Sequence, residues 1–138
     1  MSRKDVFHDS VRRGLEKDHW HISSDPLKLE WEDFKVKIDI AAERLIAAER
    51  EEEKIAVEVK SFVSASPVSD FHVALGQFLN YRMMLEIKEP ERELYLAVPL
   101  ETYETFFQGS FMQAVTKRYS LKIIVYEPTS EEIVKWIS

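Results

Sequence analysis

Two short apolar runs, LYLAVPL (94–100) and LKIIVYE (121–127), constrain this chain most. Each is too short for a typical helix and is bounded by charged or turn-forming residues, so both are read as buried strands. Strands apolar on both faces need covering elements on both sides of their sheet. The neighbouring segments can supply them. Residues 3 to 18 read as a helix with Val6, Phe7, Ser10, Val11, Gly14 and Leu15 on one face and Arg12, Arg13, Glu16 and Lys17 outside it. After the loop SASPVSD, which offers capping residues, a long helix is expected from about Val68 to Glu86. Its buried stripe would be Phe71, Ala74, Leu75, Phe78, Leu79 and Leu85. Gly76 within that stripe costs roughly 1 kcal/mol relative to Ala, and close approach of the helix to the sheet is the expected return. A third helix runs from TYETFF to KRY with an interruption near Gly109, and the capped segment SEEIVKWIS is expected to close the chain as a short helix.

The remaining strands are less uniform. HWHISSDPLKLEW reads as an extended passage broken by Pro26. Lys35 to Ile40 alternates, with Val36, Ile38 and Ile40 on one face and Lys35, Lys37 and Asp39 on the other. AAERLIAAER has good helix propensity, yet a strand over roughly Leu45 to Ala48 is favoured. The charged tip EEEK leads at once into IAVEVKSF, and a hairpin joins the two economically. In IAVEVKSF, Ile55, Val57 and Val59 share one face, and Ala56, Glu58, Lys60 and Phe62 share the other. The order is helix, three strands, helix, strand, helix, strand, helix. It predicts an α/β fold, a mixed sheet in a three-layer α/β/α sandwich, as one domain over residues 1–138.

Apolar residues make up 45% and charged residues 32%, the balance of a soluble globular chain rather than a disordered one. No apolar run approaches the roughly 20 residues of a membrane helix, so no membrane association is expected. The first residues are amphipathic and carry acids, unlike a signal or transit peptide, and there are no cysteines. A cytoplasmic protein without disulfides or thiolate ligands is expected. Acids outnumber bases 25 to 19, a net charge of -6. Proteins that hold DNA by phosphate neutralisation usually carry a basic surface. Either the basic groups are focused in one cleft, or a partner supplies affinity for nucleic acid.

Three charged residues stand inside otherwise apolar strands. Asp39 lies between Ile38 and Ile40, and Glu58 and Lys60 flank Val59. Residues two apart on a strand share a face, so Glu58 and Lys60 project together. If the Asp39 strand joins the same sheet, two carboxylates and an ammonium converge. Such an oxygen-rich pair suits Mg²⁺ or Mn²⁺, which polarises a phosphoryl oxygen and helps generate hydroxide, while the lysine orients water or neutralises developing charge. On the long helix, Gln77 and Tyr81 are four apart and share a face at the margin of the buried stripe. Each piece alone has an ordinary structural explanation; a Glu-x-Lys on a strand is commonly a cross-strand ion pair. The order and the 19-residue separation of Asp39 and Glu58 make the set more specific than its parts.

The stretches SRKDVFHDSVRRGLEKDHW, KIDIAAERLIAAER, KIAVEVKSF, FHVALGQFLNYR, LYLAVPLETYETFF and LKIIVYE resemble the XisH family, the fdxN element excision controlling factors. The resemblance runs nearly the whole chain. It implies a restriction-endonuclease-like fold of the PD-(D/E)XK superfamily. It also implies a role beside an XisI-like companion protein in excision of a DNA element by a site-specific recombinase, with DNA as a partner. It places Asp39, Glu58 and Lys60 at the superfamily's catalytic positions, Asp39 and Glu58 as metal ligands for Mg²⁺ or Mn²⁺, and Gln77 and Tyr81 as accessory residues. The proline of the motif's name is absent, since Ile38 precedes Asp39. An acid on the first helix approaches the metal in many relatives, which makes Glu16 a further accessory candidate.

Other features carry less. His8, His19, His21 and His72 invite a metal reading, and His19-Trp20-His21 has ligand-like spacing, but without cysteine or a His-Glu-x-x-His pattern a zinc site is not expected. Arg50 to Lys54 reads as a solvated hairpin tip, and Phe106, Phe107, Phe111 and Met112 as core. Trp136 is either core or a partner contact. Two functions remain open: a metal-dependent endonuclease or DNA-processing component, and a non-catalytic adaptor that modulates a site-specific recombinase. With a charge that disfavours unaided DNA binding, the protein is expected to act as an oligomer, with an XisI-like companion, or both.

Overall fold

Alternation of β-branched residues with small or polar ones makes strands, and in the computed structural model, which describes residues 5–46 and 51–138, the chain is built around them. In order the elements are α1 (His8–Lys17), β1 (His21–Ser24), β2 (Leu27–Trp31), β3 (Phe34–Ile38), β4 (Ile40–Ile46), β5 (Glu51–Val59), α2 (Pro67–Lys88), β6 (Arg92–Pro99), α3 (Leu100–Thr105), a 3-10 turn (Phe106–Gln108), α4 (Ser110–Arg118), β7 (Ile123–Glu127) and β8 (Glu132–Ile137). Six strands form one mixed sheet in the order β1-β4-β5-β6-β7-β8, and β2 and β3 form a separate two-stranded ribbon. The β5–β6 and β6–β7 pairs are parallel and the others antiparallel. Parallel neighbours require crossovers, supplied here by α2 and by α3 with α4.

Side chains of β5 divide between two cores. Ile55, Val57 and Val59 pack with Val11, Leu15 and Trp20 beside α1. Ala56 packs with Phe71, Ala74 and Phe78 of α2 and with Phe107 and Met112. The alternation read in IAVEVKSF is therefore present in the fold. α2 starts at a Ser66 cap, whose side chain accepts the Ser69 N–H, with Pro67 in its first turn. The β6 end is fixed by Arg92, whose guanidinium reaches Glu43 at 2.7 Å, Glu89 at 2.9 Å and the Ile55 carbonyl at 3.0 Å.

Several expectations need correction. The strand expected over Lys35 to Ile40 is broken at Asp39, where the chain leaves the β2–β3 ribbon for the main sheet. Ile38 consequently lies in the α2-side core and Ile40 in the α1-side core, rather than on one face. The strand expected over Leu45 to Ala48 starts earlier, at Ile40, and is described to Ile46; residues 47 to 50 lie outside the described residues. Glu51 to Lys54, expected at a hairpin tip, already belong to β5. The first helix begins at His8, and Val6 before it is exposed. On α2, Leu75 and Leu79 are only half-buried and Met84 is buried in their stead.

The closing segment is a strand, β8, and not a helix. Val134 is the extra residue of a bulge, since Val125 faces Lys135 and Tyr126 faces Ile133. The bulge turns Ile133 and Trp136, three apart, into the same core, and that spacing imitates a helix. Trp136 is accordingly half-buried and packs against that core, stacked on Trp20 at 5.6 Å and edge-on to Tyr95 at 5.0 Å. Phe111 is exposed, whereas Phe107 and Met112 are buried. Gly76 is also exposed, and a Cβ there would meet nothing within 4 Å. The glycine that does permit close approach is Gly14, where a Cβ would lie 3.1 Å from the Ile133 side chain.

Candidate metal centre

The register of β4 on β5 builds the site. Ile40 faces Val57, so Asp39, one residue earlier, comes beside Glu58. The Asp39 N–H donates to Glu58 Oε1 at 3.3 Å, and the Val59 N–H donates to Asp39 Oδ2 at 2.8 Å. The two carboxyl groups themselves lie within hydrogen-bonding range of each other. Lys60 follows the end of β5, held by its N–H to the Ala97 carbonyl and by the Tyr126 hydroxyl on its own carbonyl, both at 3.0 Å. Its Nζ lies 3.7 Å from Glu58 Oε2. Sequence reasoning brought these three together, and the structure brings them together.

Glu58 is only 5% exposed. Burial, and next the charge of Asp39, push its carboxyl up to about 8, with Lys60 opposing. Asp39 is also raised, chiefly by burial, against the pull of the Val59 N–H, His8 and Lys60. The pair therefore shares protons, and full ionisation of both at neutral pH requires more positive charge than Lys60 supplies. Tyr81 on α2 is half-buried, and its phenol is pushed up to about 12 by burial and then by Glu58 and Asp39, so the helix does present this residue to the acids. Gln77, one turn earlier, holds its Oε1 buried with no protein partner among the described residues.

Glu16 is not brought to the acids. It is exposed on α1 and acts electrostatically on Arg13. The α1 residue that acts on Asp39 is His8, buried at 2% exposure and weighed in the sequence only as one of four possible zinc ligands. Its signal was available: positions 8, 11 and 15 share one helical face, so His8 lies in line with Val11 and Leu15. His19, His21 and His72 are exposed, and the described residues contain no group of three or more His, Cys, Asp or Glu placed to hold a metal.

The donor set fits a hard divalent cation. It comprises two carboxyl groups buried side by side and short of positive charge. Two carboxylates are the usual protein contribution to a Mg²⁺ shell that solvent and phosphate complete.

The family model described as XisH protein matches residues 1–134 of the chain. The chain belongs to the XisH family. An XisH family protein from Nostoc punctiforme PCC 73102 has a solved structure that is 50% identical, with a TM-score of 0.87, covering 97% of this chain and 100% of that one. A fdxN element excision controlling factor protein from Anabaena variabilis is 48% identical, with a TM-score of 0.88, covering 98% of this chain and 100% of that one. Comparison with curated proteins finds no match. The XisH-family fold seen here is a mixed α/β arrangement with a six-stranded sheet and four α-helices among the described residues. No helix among those residues is long and apolar enough to cross a membrane.

Proposed function

We propose that this XisH-family protein is an excision controlling factor with a Mg²⁺- or Mn²⁺-dependent phosphodiesterase site, acting on DNA beside an XisI-like companion and a site-specific recombinase. The observation that carries this is the Asp39–Glu58 contact, two carboxyl groups buried together with Lys60 Nζ 3.7 Å away. A scaffold gains nothing from burying two acids face to face, because desolvation and mutual repulsion both oppose it. A bound divalent cation would supply the missing positive charge and polarise a phosphoryl oxygen. Asp39 and Glu58 would hold it. Lys60, anchored through its backbone, would orient the attacking water and neutralise charge developing on the phosphate. Gln77 and Tyr81 flank the acids from α2 as positioning groups. The two-sided core around the sheet suits a restriction-endonuclease-like, three-layer arrangement.

The adaptor alternative keeps one observation in its favour, the net charge of -6, which disfavours unaided DNA binding. Cleavage of supercoiled plasmid with Mg²⁺ or Mn²⁺, with and without the companion, separates the two. Metal-dependent nicking that disappears in Glu58→Gln and Lys60→Ala supports the phosphodiesterase. Excision in cells that proceeds normally with both folded variants would establish the adaptor.

A further inference from the structure

The first helix carries a buried histidine, His8, paired with Asp25 on one ring edge and without a protein partner among the described residues on the other. Two ties hold the residues just before α1 against those that follow β5. The Asp5 carboxylate accepts the Ser61 and Phe7 N–H groups, each at 2.9 Å. The Phe7 ring packs edge-on to Tyr126 at 6.1 Å, and the Tyr126 hydroxyl holds the Lys60 carbonyl. On the other side stands Asp25, in the link between β1 and β2. Its neighbours bracket Asp39: Ser24 faces Ala41, and Leu27 faces Ile38. Where the chain switches sheets at Asp39 and Ile40, it therefore does so alongside Asp25 and Pro26.

His8 bridges these parts. Its Nε2 lies 2.8 Å from Asp25 Oδ1, and Arg12 Nη1 lies 2.7 Å from Asp25 Oδ2. A carboxylate only accepts, so Nε2 carries the proton and the ring is fixed in orientation. The opposite ring atom, Nδ1, is buried and has no protein partner among the described residues. A buried polar atom left in this way is costly and calls for a role. His8 also acts electrostatically on Asp39.

We propose that His8 is a positioning residue of the acid pair, held by Asp25 and Arg12 so that Nδ1 binds a water lying against the Asp39 carboxylate. Nδ1 makes no direct bond to Asp39, so one solvent molecule forms the link. This use of a ring fixed on one edge and offered on the other matches how outer groups orient carboxylates at cation sites. The inference rests on the cation site proposed above.

Two substitutions distinguish positioning from mere packing. His8→Gln places an amide N–H where Nε2 stood, keeping the Asp25 bond but removing Nδ1. His8→Asn does the reverse. Positioning predicts that His8→Gln melts near wild type yet binds Mn²⁺ about tenfold or more weakly by calorimetry. His8→Gln with wild-type Mn²⁺ affinity overturns the inference. A second readout needs no metal: the imidazole ¹⁵N resonances of His8 in EDTA. The Nδ1 resonance is expected to move in Asp39→Asn and stay fixed in Glu16→Ala. An unmoved resonance in Asp39→Asn overturns the inference even if His8→Gln fails to fold. Wild-type protein that binds no Mn²⁺ sinks the cation site instead, and the ¹⁵N spectra still decide whether His8 faces Asp39.

Discussion

Replacing Glu58 by Gln tests the electrostatics of the site without cleavage or a partner. Glu58 has its carboxyl pushed from 4.5 up to about 8 in the folded protein. Between those values the folded state holds a proton that the unfolded chain has released. Stability therefore falls as pH rises through this window. Each unit is worth about 1.4 kcal/mol, so the full window amounts to a ceiling on the order of 5 kcal/mol, and sharing of protons with Asp39 lowers it. Glutamine keeps the shape of the protonated acid. Its carbonyl can accept the Asp39 N–H and its amide can donate to the Asp39 carboxylate. In EDTA the wild type and Glu58→Gln should thus be equally stable, within about 1 kcal/mol, near pH 5. By pH 8 the variant should lead by roughly 3 kcal/mol, about 10 °C in Tm for a chain of this size. Thermal melts followed by circular dichroism from pH 5 to 8.5 measure the gap. Adding Mn²⁺ should close it by stabilising the wild type alone. Parallel melting curves across this pH range, with no divergence, would refute the burial of an ionisable pair at this site.

Other outcomes follow from single contacts. Lys60→Ala should leave Mn²⁺ affinity within a few-fold of wild type and abolish nicking, read by titration beside a plasmid assay, because the lysine acts on water and phosphate rather than on the ion. Gly76→Ala should raise unfolding stability by about 1 kcal/mol in urea titrations, since the site is exposed and a Cβ there meets nothing. Arg92→Ala should cost on the order of 3–5 kcal/mol in the same titrations, because Glu43, with a side chain 16% exposed, would lose its principal cation.

Much of the site was legible in the sequence because period-two alternation is local. Glu58 and Lys60 share a face whatever the rest of the chain does, and α2 presents Tyr81 at helical spacing. The elements misread from sequence are those decided by distant partners. Asp39 breaks its strand because β3 pairs with β2 whereas β4 pairs with β1 and β5, and no local pattern announces that change of partner. β8 carries Ile133, Trp136 and Ile137 at helix-like intervals, and only the bulge opposite Val125 and Tyr126 reconciles them with a strand. Gly76 suggested close packing by its place among apolar neighbours, but the turn of α2 points it outward, and Gly14 does that work against Ile133. His8 is weighed in the sequence only as a possible zinc ligand and is not tied to the acid pair, because its partner, Asp25, lies 17 residues away.

The claim that Asp39 and Glu58 form a cation site is tested most directly by counting protons. Burial and the charge of Asp39 push the Glu58 carboxyl up to about 8, and a cation binds the ionised carboxylate, so binding is expected to expel a proton. Calorimetric titration of Mn²⁺ at pH 7 in two buffers of different ionisation enthalpy gives the number released. The account predicts close to one proton per Mn²⁺ for the wild type, weak affinity that strengthens when a DNA oligonucleotide is present, and no specific binding to Glu58→Gln. Mn²⁺ binding by Glu58→Gln equal to wild type, or binding by the wild type without proton release, would contradict it.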